Sequence, residues 1–223
     1  MKVLKSIQDL LHLVYDLNLT HRVDDFLITD QDYAAQLDNS SNSRVTDEKL
    51  LVLQNEGELL ISLYLAEELL SSLHENDPFE QLHDHNLGSF CTALEGVSHF
   101  VYLAWNASHD RSVSQLELEL QAEVDKFVAI VYLANGQHGS IELQHLRNWL
   151  FRRCRFDSEL KPDELQRYQT ANSYASQFCS RLQHQPPGSG VHEFDFSELR
   201  RFYRKRHLDK LNQCESTSLI RGP

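Results

Sequence analysis

Four residues near the middle of the chain have the types and the spacing to do chemistry: Glu95, His99, Glu119 and Glu123. Glu95 and His99 are four positions apart within residues 87–106, LGSFCTALEGVSHFVYLAWN. On a helix that spacing stacks them on one face, a turn apart. Tyr102 and Asn106 extend the same polar stripe. Phe90, Leu94, Val97, Val101, Ala104 and Trp105 form a broad apolar arc, and Ala93, Phe100 and Leu103 cover much of the other side. A helix apolar on most sides belongs in an interior, so Glu95 is expected among the least exposed acidic residues. No Lys or Arg lies between Lys49 and Arg111. The Glu95 carboxylate must therefore be answered by His99, a cation from a distant segment, a ligand or a metal.

Glu119 and Glu123 lie on the next helical segment, residues 112–134. Its apolar arc is Leu116, Leu120, Val124, Phe127, Ile130 and Val131. Glu117 and Glu123 flank that arc, and Glu119 falls just outside it, near Lys126. If residues 107–111 fold the two helices antiparallel, Glu95 comes level with Glu123 and His99 with Glu119. Three carboxylates and an imidazole at that separation cannot all ionise unpaired. A divalent metal, a shared proton or an incoming Arg111, Lys126 or Arg167 would settle the charge. The chemistry implied is a metal or acid–base centre in a helical bundle, with Glu95, His99 and Glu123 as catalytic candidates and all four residues as candidate metal ligands. The competing expectation is a structural network, with Glu95 held by Arg167 or Tyr102 and the other glutamates at the surface.

Other patterns carry less. Glu80-x-x-His83 and Glu142-x-x-His145 have di-metal spacing but sit at helix starts, away from the level of Glu95. The Glu119–Glu123–Asp125 spacing misses that of helical pyrophosphohydrolases. His83 and His85 face different ways on a helix. Cys91, one turn before Glu95, reads as a packed thiol. Phosphate-binding loops, dinucleotide glycine fingerprints and nucleophile elbows are absent.

A second constellation is basic and aromatic. Arg200, Arg201, Arg204, Lys205 and Arg206 interleave with Leu199, Phe202 and Tyr203. These five cations are the expected partner-binding set, docked on acidic helices of the same chain or on an acidic or phosphate-bearing partner. No helix-turn-helix accompanies them, which argues against sequence-specific DNA reading.

The elements that must position these residues read as helices. Thr46 is expected to cap one long helix through residue 76. Asp77-Pro78-Phe79-Glu80, Ser114-Gln115-Leu116-Glu117 and Asp195-Phe196-Ser197-Glu198 resemble helix-start signals. Pro162 opens another helix, and Asn135-Gly136 stops one. Phe26-Leu27-Ile28 and Arg155-Phe156-Asp157 are weak strand signals without convincing partners. The expected fold is all-α, an irregular bundle of five to seven helices. Residues 1–184 would form the bundle, 185–191 (QPPGSGV) a linker, 192–213 a basic helix docked on the bundle and 214–223 a flexible tail.

Composition sets the outer limits. The chain has 223 residues, 41% of them hydrophobic, and a net charge of −12, enough for a packed core. Residues 1–140 carry 7 basic and 23 acidic side chains, while residues 141–223 carry 14 and 10. So acidic a protein is a poor general nucleic-acid binder. No apolar run approaches membrane-spanning length. Cys91, Cys154, Cys179 and Cys214 are too widely spaced for a metal or redox motif and read as reduced thiols of a cytoplasmic protein. The leading expectation is an accessory or regulatory module that binds another macromolecule, a protein, through its helical surface. The rival is an enzyme built on Glu95, His99, Glu119 and Glu123.

Overall fold

A computed structural model of the chain describes residues 2–38, 46–55, 58–137, 142–152, 156, 158–183 and 196–215. The expected linker 185–191 and everything beyond Glu215 lie outside the described residues. The chain is mostly helical, with nine α-helices among the described residues, but it is not all-α: a three-stranded sheet is present. Two compact units divide it, residues 1–13 with 17–112 and residues 14–16 with 113–223. The division falls inside the span 1–184 expected to form one bundle.

The first unit opens with α1 (Lys2–Tyr15), whose first turns bury Val3, Leu4, Ile7, Leu10 and Leu11. Gln8 is fully buried on that face and satisfies its amide locally. It accepts from the Val23 backbone N–H at 2.9 Å and donates to the His21 carbonyl at 2.7 Å. A short 3-10 turn at Val23–Phe26 leads into β1 (Leu27–Ile28), followed by α2 (Gln31–Leu37). Asp30 caps α2 by accepting from the Tyr33 N–H at 2.9 Å.

The long helix expected over residues 46–76 is instead a hairpin and a short helix: β2 (Glu48–Asn55), β3 (Glu58–Leu65) and α3 (Glu67–Glu75). Asn-Glu-Gly-Glu at 55–58 is a turn signal between two apolar runs. As strands, those runs put Leu50 opposite Leu63 and Val52 opposite Ile61. As a helix they would have spread apolar side chains around every side, with no face left for water. The weak signal at Leu27–Ile28 does find a partner, pairing in parallel with Leu63–Tyr64 of β3, so the sheet order is β1-β3-β2. That pairing joins segments far apart in sequence, which local propensity cannot reveal.

Asp77-Pro78-Phe79-Glu80 forms a turn rather than a helix start. The Asp77 carboxylate accepts from the Phe79 N–H at 2.9 Å, and the Asp77 carbonyl accepts from Glu80 and Gln81. Helix α4 begins later, at Asp84, and runs to Ala107. His83 and Asn86 form a reciprocal box at its start, where Asn86 Oδ1 accepts from the His83 N–H at 2.9 Å. Phe90, Leu94, Val97 and Val101 of α4 are buried, and β2, β3 and α3 pack against it.

In the second unit, Ser114 and Glu117 form the expected capping box for α5 (Gln115–Gly136). Val124, Phe127, Ile130 and Val131 of α5 are buried. The chain continues through α6 (Leu143–Arg147), a π-helical turn at Asn148–Arg152, and α7 (Pro162–Gln183). Pro162 starts α7, since its missing N–H costs nothing in a first turn. The expected single C-terminal helix is two, α8 (Phe196–Tyr203) and α9 (His207–Glu215). Helix α7 packs on α5 and α9, and Phe178 stacks on Phe202 with ring centroids 3.9 Å apart.

Candidate functional site

Helix α4 presents its polar stripe as expected in part. His99, Tyr102 and Asn106 are buried, and the Asn106 amide donates to the Tyr102 carbonyl at 2.8 Å. Glu95 is only half-buried. Among the described residues the buried acidic side chains are Glu117, Glu119, Asp125 and Glu198, and Glu95 is less buried than these four.

His99 has a carboxylate neighbour absent from the sequence reading. Its Nδ1 lies 3.7 Å from Oε1 of Glu48, the first residue of β2. That is too long for a good hydrogen bond but close enough for strong attraction to a protonated ring. The two side chains are 8% and 14% exposed, so little water screens them. Gly96 makes the approach feasible. A Cβ there would sit 2.8 Å from Glu48 Cγ and 2.8 Å from Leu63 Cδ1. The bare helix surface at Gly96 lets the hairpin close on α4, which carries Glu48 toward His99. Arg111, a candidate cation for the stripe, lies over the Trp105 ring at 5.5 Å.

The remaining expected residues belong to the second unit. Glu119 is buried, with Arg167 Nε 3.6 Å from its Oε1. Glu123 is half-buried, and Lys126 donates to it at 2.8 Å, with the Asn172 amide at 3.4 Å. Lys126 and Arg167 are two of the three cations expected to neutralise these carboxylates. Glu117 is taken up by the helix cap and by His207, whose Nδ1 lies 3.4 Å away. The four candidates are thus divided, Glu95 and His99 on α4 of the first unit, Glu119 and Glu123 on α5 of the second.

Of the basic set, Arg200 Nε donates to the Val14 carbonyl at 3.1 Å, and Arg204 donates to the carbonyls of Asp16 at 3.0 Å and of Arg200 at 3.2 Å. These two tie the end of α1 to α8 inside the second unit. Lys205 is half-exposed, and Arg201 and Arg206 are exposed. The His83 and His85 rings lie 5.8 Å apart, edge to face. Burial pushes the Cys214 thiol up to about 12 and the Cys179 thiol well above its ordinary value, so both are packed and inert.

Two features escaped the sequence reading. The first is a buried polar tetrad in the second unit. Tyr15 donates to Asp125; the Gln121 amide donates to Asp125 at 2.8 Å and to the Tyr15 hydroxyl at 3.1 Å; and Lys210 Nζ donates to Gln121 Oε1 at 2.7 Å. All four residues are at most 1% exposed. Burial pushes Lys210 down to about 7, against the opposing pull of Glu117 and Asp125. Its ammonium also lies 4.9 Å from the centroid of the Phe202 ring. The available signal was Gln121 and Asp125, four apart inside the apolar run of α5.

The second feature is the far half of the hairpin. Val52, Leu53 and Leu60 are 45%, 43% and 56% exposed. In the register of the pair, Leu53 and Leu60 face each other on one side, while Val52 and Ile61 lie on the other. Both faces are therefore apolar here. Beyond β3, β2 has no neighbouring strand among the described residues. No helix there is long and apolar enough to cross a membrane. No protein-family model, curated protein or solved structure matches the chain.

Proposed function

We propose that this chain is a non-catalytic binding module, an accessory or regulatory protein that holds a protein partner. The observation that carries this reading is the outer edge of β2, a strand edge with apolar side chains on both faces. Sheet proteins normally blunt such an edge with charge, proline, a bulge or a covering element. Residues 50–55, LLVLQN, contain neither charge nor proline. An apolar edge kept in water is a liability unless a partner covers it. The expected contact is therefore the hairpin, in place of the helical surface suggested by the sequence. The test compares cross-linked captures by the natural chain and by a Leu53→Lys/Leu60→Lys variant with an unchanged melt. Loss of particular proteins from the variant supports the reading, and identical captures refute it.

The surroundings of His99 favour a second reading, an enzyme with a metal or acid–base centre built on His99 and Glu95 of the first unit. A buried imidazole beside Glu48, with Glu95 one turn away, offers the mixed nitrogen and oxygen donors that zinc and related divalent ions take. Metal analysis after purification without chelator separates the two readings. About one equivalent, lost in His99→Ala, supports the centre. A metal-free chain whose melt is unmoved by added zinc or manganese removes it.

A further inference from the structure

We infer that the elbow between α8 and α9 is a docking site for a short acidic segment of a protein, its carboxylates on Arg201, Lys205 and Arg206 and an apolar side chain against Leu208. This contact is separate from the β2 edge and does not depend on it.

Residues 200–206, RRFYRKR, hold five cations in seven positions. Two of them serve the second unit itself, Arg200 and Arg204 on the carbonyls of Val14 and Asp16. Phe202 and Tyr203 are buried, the first stacked on Phe178 and the second on Tyr15 with ring centroids 4.2 Å apart. Beyond the elbow, the fully buried Lys210 and Cys214 fasten α9. The elbow is thus held from both sides, and Arg201, Lys205 and Arg206 are the cations it leaves outside. Among the described residues none of these three side chains has a hydrogen-bond or ion-pair partner. The carboxylates on the same helices do not answer them. Glu198 lies 2.8 Å from Arg181, Glu215 accepts from the Tyr174 hydroxyl at 2.7 Å, and Asp209 forms no ion pair among the described residues. Beside the cations stands Leu208, 71% exposed, the most exposed large apolar side chain among the described residues.

Charge decides the class of partner. The second unit carries 15 basic and 15 acidic side chains, and the first carries 6 and 18. A chain with that acidic excess is repelled by an extended polyanion such as a nucleic acid or an anionic bilayer, which acts on its whole charge. A short acidic segment needs only the field of the elbow, which reaches about 8 Å at physiological salt. Guanidinium forks match carboxylates in pairs of hydrogen bonds. Leu208 adds an apolar contact that a free anion would leave in water and that a side chain of a protein segment can cover.

The probe is a fluorescein-labelled peptide of glutamates around a central leucine, titrated into the full chain and followed by anisotropy. It is expected to bind, to weaken at least about tenfold as salt is raised through about 0.15 M, and to lose binding when lysines replace the glutamates. Arg201→Glu/Arg206→Glu should lower its affinity at least about tenfold with an unchanged melt, since both side chains are exposed. If that variant melts lower, Arg201→Gln/Arg206→Gln decides in its place. Leu208→Ser keeps every charge. It should weaken the leucine peptide about threefold and leave a peptide with glycine at the centre unaffected. The Leu53→Lys/Leu60→Lys variant should bind like the natural chain, which keeps this test apart from that of the hairpin. No binding at millimolar peptide, or binding indifferent to the loss of Arg201 and Arg206, overturns the inference. Sedimentation of the chain with phosphatidylserine vesicles, without peptide binding, also overturns it and assigns the elbow to a lipid surface.

Discussion

Lys210 is a cation with no water around it, and its titration should be visible in the stability of the protein. Burial lowers it from 10.5 to about 7 in the folded chain. Below pH 7 both folded and unfolded chains carry the proton, and the folded state bears the full cost of the buried charge. As pH rises from 7 toward 10.5, the folded lysine is neutral while the unfolded one stays charged. The unfolded state then binds more protons, so stability increases with pH. The window closes near pH 9, where the thiols of Cys179 and Cys214 begin to ionise in the unfolded chain but remain protonated in the fold. The melting temperature is therefore expected to climb between pH 7 and 9, and Lys210→Met should flatten that climb. Gly96 gives a second test at this scale. Gly96→Ala gains helix propensity but forces Glu48 and Leu63 aside, and a net loss of about 1 kcal/mol is expected in chemical denaturation. The polar stripe on α4 was legible because it interrupts an apolar helix. Lys210 was not. On α9 the lysine and Cys214 are buried while Leu208 is 71% exposed, so the hydrophobic pattern of that helix points the wrong way.

Individual elements stand on their ends. The turn that follows α4 holds a left-handed residue, Asp110 with φ 53°, and the Arg111 N–H bonds back to the Asn106 carbonyl at 3.0 Å. Asp16 does the same for α1, with the Leu17 N–H reaching the His12 carbonyl at 3.1 Å. Glycine usually holds this position because a Cβ is unfavourable there. Asp110→Gly, at an exposed site, should raise stability by up to about 1 kcal/mol. Ser114→Ala should lower it by about 1 kcal/mol, since it removes the α5 cap and the 3.0 Å contact with His207. Both shifts are measurable in urea titrations. The Ser114 box and the Pro162 start were readable because a cap is a local arrangement. The hairpin was misread because its runs of leucine suit either element, and the choice is made by pairing with β1 and closure over Gly96. Asp77-Pro78 failed for a related reason, since the same residues serve a turn as well as a helix start.

At the scale of the whole chain, the uneven charge follows the two units only loosely. The acidic α5 belongs with the basic C-terminal helices, and there the charges meet. Arg181 lies 2.8 Å from Glu198, and Arg167 lies beside Glu119. Removing residues 192–223 takes Phe202 from Phe178 and Lys210 from Gln121. The expected result is a loss of more than about 3 kcal/mol in the second unit and aggregation on heating, read by calorimetry and light scattering. Composition showed the imbalance but not the boundary at residue 112. Nor did it show that residues 14–16 group with segments about a hundred positions later.

The reach of Tyr15 also orders events in time. Its acceptor Asp125 lies 110 positions away, and Lys210 is 89 positions beyond Gln121. During synthesis Tyr15 is made long before Lys210, the last member of the tetrad. Until then a carboxylate and an amide destined for the interior remain in water, and α5 has no reason to bury that face. Contacts this distant in sequence form slowly. The second unit is therefore expected to acquire its protease resistance in a single late step, coincident with the arrival of α9. Pulse-labelled chains stopped before residue 210 should be cleaved within α5, while full-length chains are spared.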